Sequence, residues 1–360
     1  MEKRQPSTII VKIGSNVIAN SDGSLAIYRL RSLVNELSQL SKKGYSVVVV
    51  SSGAVAAGRK HLPDLVKTNT DPVSTRQVLA AMGQVDIINH YRALFAEHHL
   101  GCAQVLVTKE DFRDRTHYLN MRNCLTSLGK YQIIPVINEN DVVAVTELMF
   151  TDNDELAGLV ASMLNADKLI ILTSVDGIFD GEIGKGSLLK TIDPEKFRPE
   201  EVIQAGKSQF GRGGMLTKSR IAVKIAKNGI PVHIINGRNE GNMLSVLEGN
   251  HPGTEFLASQ TITPFKRWLA HSENQAKGKL FINEGAVKAL TNPDKTNSLL
   301  PIGIEKLEGN FQKGDLVYIS LNKGNVIGLG RSNYDFDELL ANLGKHKSRP
   351  AIHYDYLYLY

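Results

Sequence analysis

Apolar positions along the chain switch between two periods. Residues 8–13, 46–50, 103–107, 133–137, 169–172 and 232–235 are short, β-branched and almost continuously apolar. Such runs fit strands buried on both faces of a sheet. Between them, residues 25–43 carry helical spacing through Leu30, Leu33, Val34 and Leu37 and stop near Gly44. Residues 74–98, 111–128, 155–164 and 214–228 also predict helices. Alternating strands and helices predict an α/β domain, a three-layer sandwich around a mainly parallel sheet. After residue 258 the pattern changes. Residues 279–283, 316–321 and 324–329 predict short strands separated by Gly- or Asn-bearing turns. The expected organisation is therefore residues 1–258 as the α/β domain and 276–360 as a small β-rich domain. The Tyr- and Leu-rich end, residues 354–360, either closes the small sheet or covers an interface.

Length and composition add bounds. A chain of 360 residues is long enough for a sizeable core and two domains. No apolar run approaches the ~18 residues of a membrane span, so no membrane partner is expected. The apolar run after the basic N-terminal residues is too short for a signal-peptide core and is interrupted by Lys12. A cytoplasmic location is the expectation. Cys102 and Cys124 fit a reducing compartment and form no metal-ligand spacing, and no metal ligand is assigned. The net charge is +5, and residues 266–353 hold thirteen Lys and Arg against nine Asp and Glu. That excess suits an anionic partner, though a solvated basic surface is the commoner origin.

Candidate chemistry lies at the strand ends. Neither a GxxxxGK[ST] loop nor a GxGxxG turn after the first strand is present. Three glycine-bearing segments remain. Lys12 and Gly14 end the first strand, and a lone lysine there is as well read as an edge-strand surface residue. Ser51-Ser52-Gly53 leads a buried strand into a small-residue helix, an arrangement that offers N–H groups to an anion or simply packs tightly. Gly211-Arg212-Gly213-Gly214-Met215-Leu216-Thr217-Lys218 opens a helix with a lysine in its first turns, which suits nucleotide phosphates. Asn138-Glu139-Asn140-Asp141 follows a strand at the sheet edge where α/β proteins bind ligands. In Asp152-Asn153-Asp154, helix capping accounts for one member of the trio and not for all three.

Six segments in this order resemble the amino-acid kinase family, its glutamate branch in particular: VKIGSN (11–16), SSGAVAAGR (51–59), PVINENDVV (135–143), TDNDELA (151–157), ILTSVDGIF (171–179) and GRGGMLTK (211–218). HPGTEF (251–256), KRWLA (266–270), NEGA (283–286) and SLLPIGI (298–304) extend the likeness into a C-terminal PUA domain. The resemblance implies the amino-acid kinase fold and ATP-dependent phosphorylation of the γ-carboxylate of L-glutamate, the first step of proline synthesis, with proline as feedback inhibitor. It implies Lys12, Lys218 and Asp154 as catalytic residues. Glutamate would be held by Ser52, Gly53, Asn138, Asp141 and Asn153. ATP would be held by Lys12, Gly14, Thr173, Ser174, Arg212, Gly213, Gly214, Met215, Leu216, Thr217 and Lys218, with Mg2+ carried on the nucleotide. A homodimer or homotetramer is implied as well. Thr173-Ser174 departs from the family's usual Thr-Asp or Ser-Asp, with Asp176 near enough to compensate. The alternatives are a kinase for another small amino-acid carboxylate, or an RNA-binding protein acting through the PUA domain.

Overall fold

The computed structural model describes residues 6–62, 71–143, 152–181, 186–203, 214–259, 269, 276–292, 297–321, 324–345 and 349–360, without the side chains of residues 113 and 115. The chain divides into two compact units, Met1–Thr261 and Ile262–Tyr360.

The first unit is built on an eight-stranded sheet. Its strands are β1 (Thr8–Ile13), β2 (Ser46–Ser51), β3 (Gly101–Val107), β4 (Ile133–Glu139), β5 (Lys168–Thr173), β8 (Thr191–Ile192), β9 (Val232–Asn236) and β10 (Thr254–Phe256), with the hairpin β6 (Phe179–Asp180) and β7 (Ser187–Leu188) beside it. The order is β3-β4-β2-β1-β5-β9-β10-β8, and only the β9–β10 pair is antiparallel. The chain places β2, β3 and β4 on one side of β1, with β4 between β2 and the edge strand β3, and then crosses to β5 on the other. The switch point therefore lies at β1, with the C-terminal ends of β1, β2, β4 and β5 along one edge.

Helices cover both faces because both faces of these strands are apolar. The helix Ile27–Lys42 lays Leu30, Leu33, Val34, Leu37 and Leu40 against Ile9, Val11, Val47 and Val49. On the opposite side the helix Asn153–Leu164 packs against β1 and β5, and the helix Met215–Lys227 packs against it and against β9 and β10. Among the described residues no helix is long and apolar enough to cross a membrane.

The expected helix over 111–128 is two helices, Lys109–Arg113 and Arg115–Lys130. Asp114 breaks them because its carboxylate accepts from the His117 N–H and caps the second helix. The small residues after Gly53 have a packing role. A side chain at Gly58 would overlap the Leu79 carbonyl, and one at Gly83 would overlap the Ala54 carbonyl. These glycines let the helices Ala54–Arg59 and Pro72–Ala96 meet backbone to backbone.

The second unit holds a five-stranded sheet in the order β12-β11-β13-β14-β15, made of β11 (Gly278–Ile282), β12 (Ile304–Gly309), β13 (Leu316–Leu321), β14 (Val326–Arg331) and β15 (Leu357–Leu359). Strand β15 pairs antiparallel with β14, so the Tyr- and Leu-rich end closes the small sheet. Leu280, Ile282, Phe311, Val317, Ile319 and Leu357 form its own core.

Candidate active site

Lys12 is the penultimate residue of a central strand and is 4% exposed, so the edge-strand reading fails. Its Nζ lies 2.6 Å from Asp154 Oδ1. Lys218, in the first turns of the helix Met215–Lys227, places its Nζ 2.5 Å from Asp154 Oδ2. Asp154 is fully buried. Burial alone would raise its pKa, but the two ammonium groups outweigh that and hold it well below the carboxylate range. Lys12 is shifted down, chiefly by its own burial. For Lys218 burial also opposes the charge, but Asp154 and Asp152 overcome it and shift the group up. Two ammonium groups on one carboxylate leave a positive charge of that trio for an anion. Gly14 follows directly: a Cβ there would stand 3.7 Å from the Lys12 ammonium and 3.0 Å from the Leu172 carbonyl oxygen.

The three residues of the 152–154 trio divide their work. Asp152 is the N-cap of the helix Asn153–Leu164, its Oδ1 accepting from the Asp154 and Glu155 N–H groups at 2.8 and 3.2 Å. Its Oδ2 is buried without a hydrogen-bond partner. Burial, reinforced by the Asp154 charge, pushes this carboxyl up to about 6. An acid raised in the folded state stabilises the fold below its ordinary value of 3.8 and loses that contribution as pH rises through 6. Asp152→Asn keeps the capping oxygen and removes the charge. It is expected to raise stability by about 1–2 kcal/mol at pH 8 and by nothing at pH 3.5, as read by urea unfolding at the two pH values.

Asn153 Nδ2 is shared among three acceptors: the Ser51 carbonyl at 2.8 Å, Ser52 Oγ at 2.9 Å and Asn138 Oδ1 at 3.0 Å. One amide thus gathers the ends of β2 and β4 beside the lysine–aspartate trio. Gly53 sits in that turn at φ +106°, a left-handed conformation that a side chain would strain. Thr173 and Ser174 close β5 on the same edge, Thr173 buried and Ser174 half-buried. Asp176 accepts from Asn236 Nδ2 at 2.9 Å, which ties it to β9. Gly214 caps the Met215–Lys227 helix, whose first residues include Met215, Leu216 and Thr217. Arg212 and Gly213 lie outside the described residues.

Asp141 is buried and already paired. Arg76 donates to its Oδ1 from Nε at 3.0 Å and from Nη2, and Nη2 also donates to Glu139 Oε2 at 3.3 Å. Arg76 has no signal in the sequence, because a lone arginine in a long helix reads as a surface residue. The tertiary fold turns that helix so that its first turn meets the end of β4.

The Amino acid kinase family profile matches residues 7–236 and the PUA domain profile residues 278–353. The chain is 48% identical over 351 residues to glutamate 5-kinase of Chlorobaculum tepidum, covering 98% of this chain and 97% of the relative. It is 44% identical over 362 residues to glutamate 5-kinase of Bacteroides thetaiotaomicron, covering 99% of both. Carbamate kinase from Giardia lamblia bound to AMP-PNP shares the fold, with a TM-score of 0.54 at 19% identity over 71% of this chain and 99% of that one. UMP kinase from Bacillus anthracis aligns with a TM-score of 0.50 at 17% identity, over 71% and 98%. A sheet edge bearing a buried lysine–aspartate–lysine bridge, with alignment over nearly the full length of these relatives and both family profiles matched, leads to one assignment: the chain is a kinase of the amino acid kinase family, in the glutamate 5-kinase branch that carries a PUA domain.

Proposed function

We propose that the chain transfers the γ-phosphoryl group of ATP to the γ-carboxylate of L-glutamate, giving L-glutamyl 5-phosphate and ADP. The observation that carries this reading is the buried Lys12–Asp154–Lys218 bridge beside the Ser52–Asn138–Asn153 cluster. A carboxylate oxygen of glutamate attacks the γ-phosphorus, and the bond to the bridging oxygen of ADP breaks. The attacking group is already ionised at neutral pH, so no general base is needed. Catalysis is then positioning and charge neutralisation. Lys12 and Lys218 flank the moving phosphoryl group, and Asp154 fixes both ammonium groups. Gly14 and Gly53 supply N–H groups at close range. Thr173, Ser174 and residues 212–218 receive the nucleotide. Asp152, whose Oδ2 has no hydrogen-bond partner, would offer a hard carboxylate donor to Mg2+ carried on the ATP, and that ion would offset phosphate charge.

Glutamate lies across Ser52, Asn138 and Asn153, with its α-ammonium on Asp141. Arg76, now bonded to Asp141, is placed to meet the α-carboxylate. Proline offers the same ammonium and carboxylate on a ring and competes there as an end-product inhibitor. Asp141→Ala and Arg76→Ala are each expected to raise the glutamate KM by about 10–100-fold with kcat changed less than about 3-fold. Asp141→Ala is expected to blunt proline inhibition as well. Steady-state kinetics with and without proline read both effects, and an unchanged KM would remove these residues from the substrate site.

The decisive test of the reaction is hydroxamate formation from ATP, hydroxylamine and one amino acid at a time. Product with glutamate and little with aspartate or N-acetylglutamate supports the proposal. Product only with another acid overturns it. Light scattering of the purified chain tests the expected dimer or tetramer.

A further inference from the structure

We propose that His233, His251 and Glu255 form a binding site for one divalent transition-metal ion of the zinc class, separate from the lysine–aspartate site. The antiparallel pairing of β9 with β10 sets His233 directly opposite Glu255. His251 stands four residues before Glu255, and the chain between them comes down close onto β9. Gly253 permits that approach, since a Cβ there would overlap the Ile234 carbonyl oxygen. The two imidazole rings lie face to face, with centroids 6.4 Å apart and planes 14° apart.

The donor atoms are already gathered. His233 Nε2 is 3.7 Å from Glu255 Oε1, His251 Nδ1 is 3.0 Å from Glu255 Oε2, and one donor from each residue lies within 4.8 Å of the others. Tetrahedral ligands at bonds of ~2.0–2.1 Å stand roughly 3.3 Å from one another, so small side-chain shifts suffice. The pointed observation is His233 Nε2. The side chain is 2% exposed, and this nitrogen is buried with no hydrogen-bond partner. A buried polar atom left unpaired costs free energy, and a metal bond removes that cost. Glu255 is mostly buried and His251 about half-exposed, which leaves a route for an ion and a fourth position for water.

Two imidazoles and one carboxylate select zinc, cobalt, nickel or copper over magnesium and calcium. The ion would act on structure and not on phosphoryl transfer. His233 shares its register level with Val11 and Ile170, whereas Lys12 is one residue further along and therefore on the other face of the sheet. Bridging β9, β10 and the turn before β10 would fasten the β10–β8 edge to the parallel core. The Lys168 ammonium is close enough to act on His233 and works against a cation, which moderates the affinity.

The test strips the full chain with chelator and titrates it with Co2+. One equivalent is expected, with the visible absorption of tetrahedral cobalt, displaced by Zn2+ and not by excess Mg2+. His251→Ala and Glu255→Gln, both outside the kinase site, are each expected to weaken binding by at least about tenfold while turnover stays unchanged. Absence of saturable Co2+ binding below millimolar concentration overturns the proposal. So does binding that survives both substitutions.

Discussion

Lys218→Ala is expected to lower kcat by about 10²–10³-fold while the glutamate KM moves less than about 3-fold. The reason is where the charge is needed. In the ground state the Lys218 ammonium is satisfied by Asp154 at 2.5 Å and adds little to holding an amino acid. In the proposed reaction negative charge develops on the bridging oxygen of the departing ADP in the transition state, and the Lys218 ammonium beside the transferring group would stabilise it without reorganisation. The loss corresponds to roughly 3–4 kcal/mol of barrier. Stability should change little, because Asp154 keeps Lys12 at 2.6 Å as a neutral pair. Hydroxamate kinetics and urea unfolding on the same preparation separate the two. A variant with kcat intact and KM raised would make Lys218 a ground-state binding residue.

Asp154→Asn is expected to damage both fold and turnover. The substitution leaves two buried ammonium groups with no carboxylate between them, and breaking a buried pair in this way costs about 3–5 kcal/mol. Turnover should fall by at least as much as in Lys218→Ala, since both lysines lose their anchor. The pH dependence carries a sign. The Asp154 pKa is depressed in the folded state, so its contribution is complete above the ordinary value of 3.8 and is lost as pH falls below it. The stability gap between wild type and Asp154→Asn should therefore be full at pH 7 and narrower at pH 3. A constant gap across that range would mean that Asp154 acts through packing and not through its charge.

Much of the fold was legible because burial on both faces writes a continuous apolar run. The first strand and the strand Leu316–Leu321 fall where that pattern places them. Strand β12 was not legible: in Ile304–Gly309 only Ile304 and Leu307 are buried, a spacing that does not alternate as a strand should. Strands β8 and β10 have two and three residues, too few for any period to register. The split at Asp114 was hidden because capping depends on one side-chain bond, which leaves apolar spacing unchanged.

By itself the sequence determined the class of fold and the family, because those depend on local period and on ordered short motifs. Which side chains meet was decided by the tertiary structure. Asn153 reaches Ser52 across 101 residues of chain, and Arg76 reaches Asp141 across 65. The His233–His251–Glu255 cluster likewise exists only because β9 and β10 pair antiparallel. A residue's local sequence records its own strand or helix, whereas a site is made where several elements end, and that is set by how the sheet is ordered and packed.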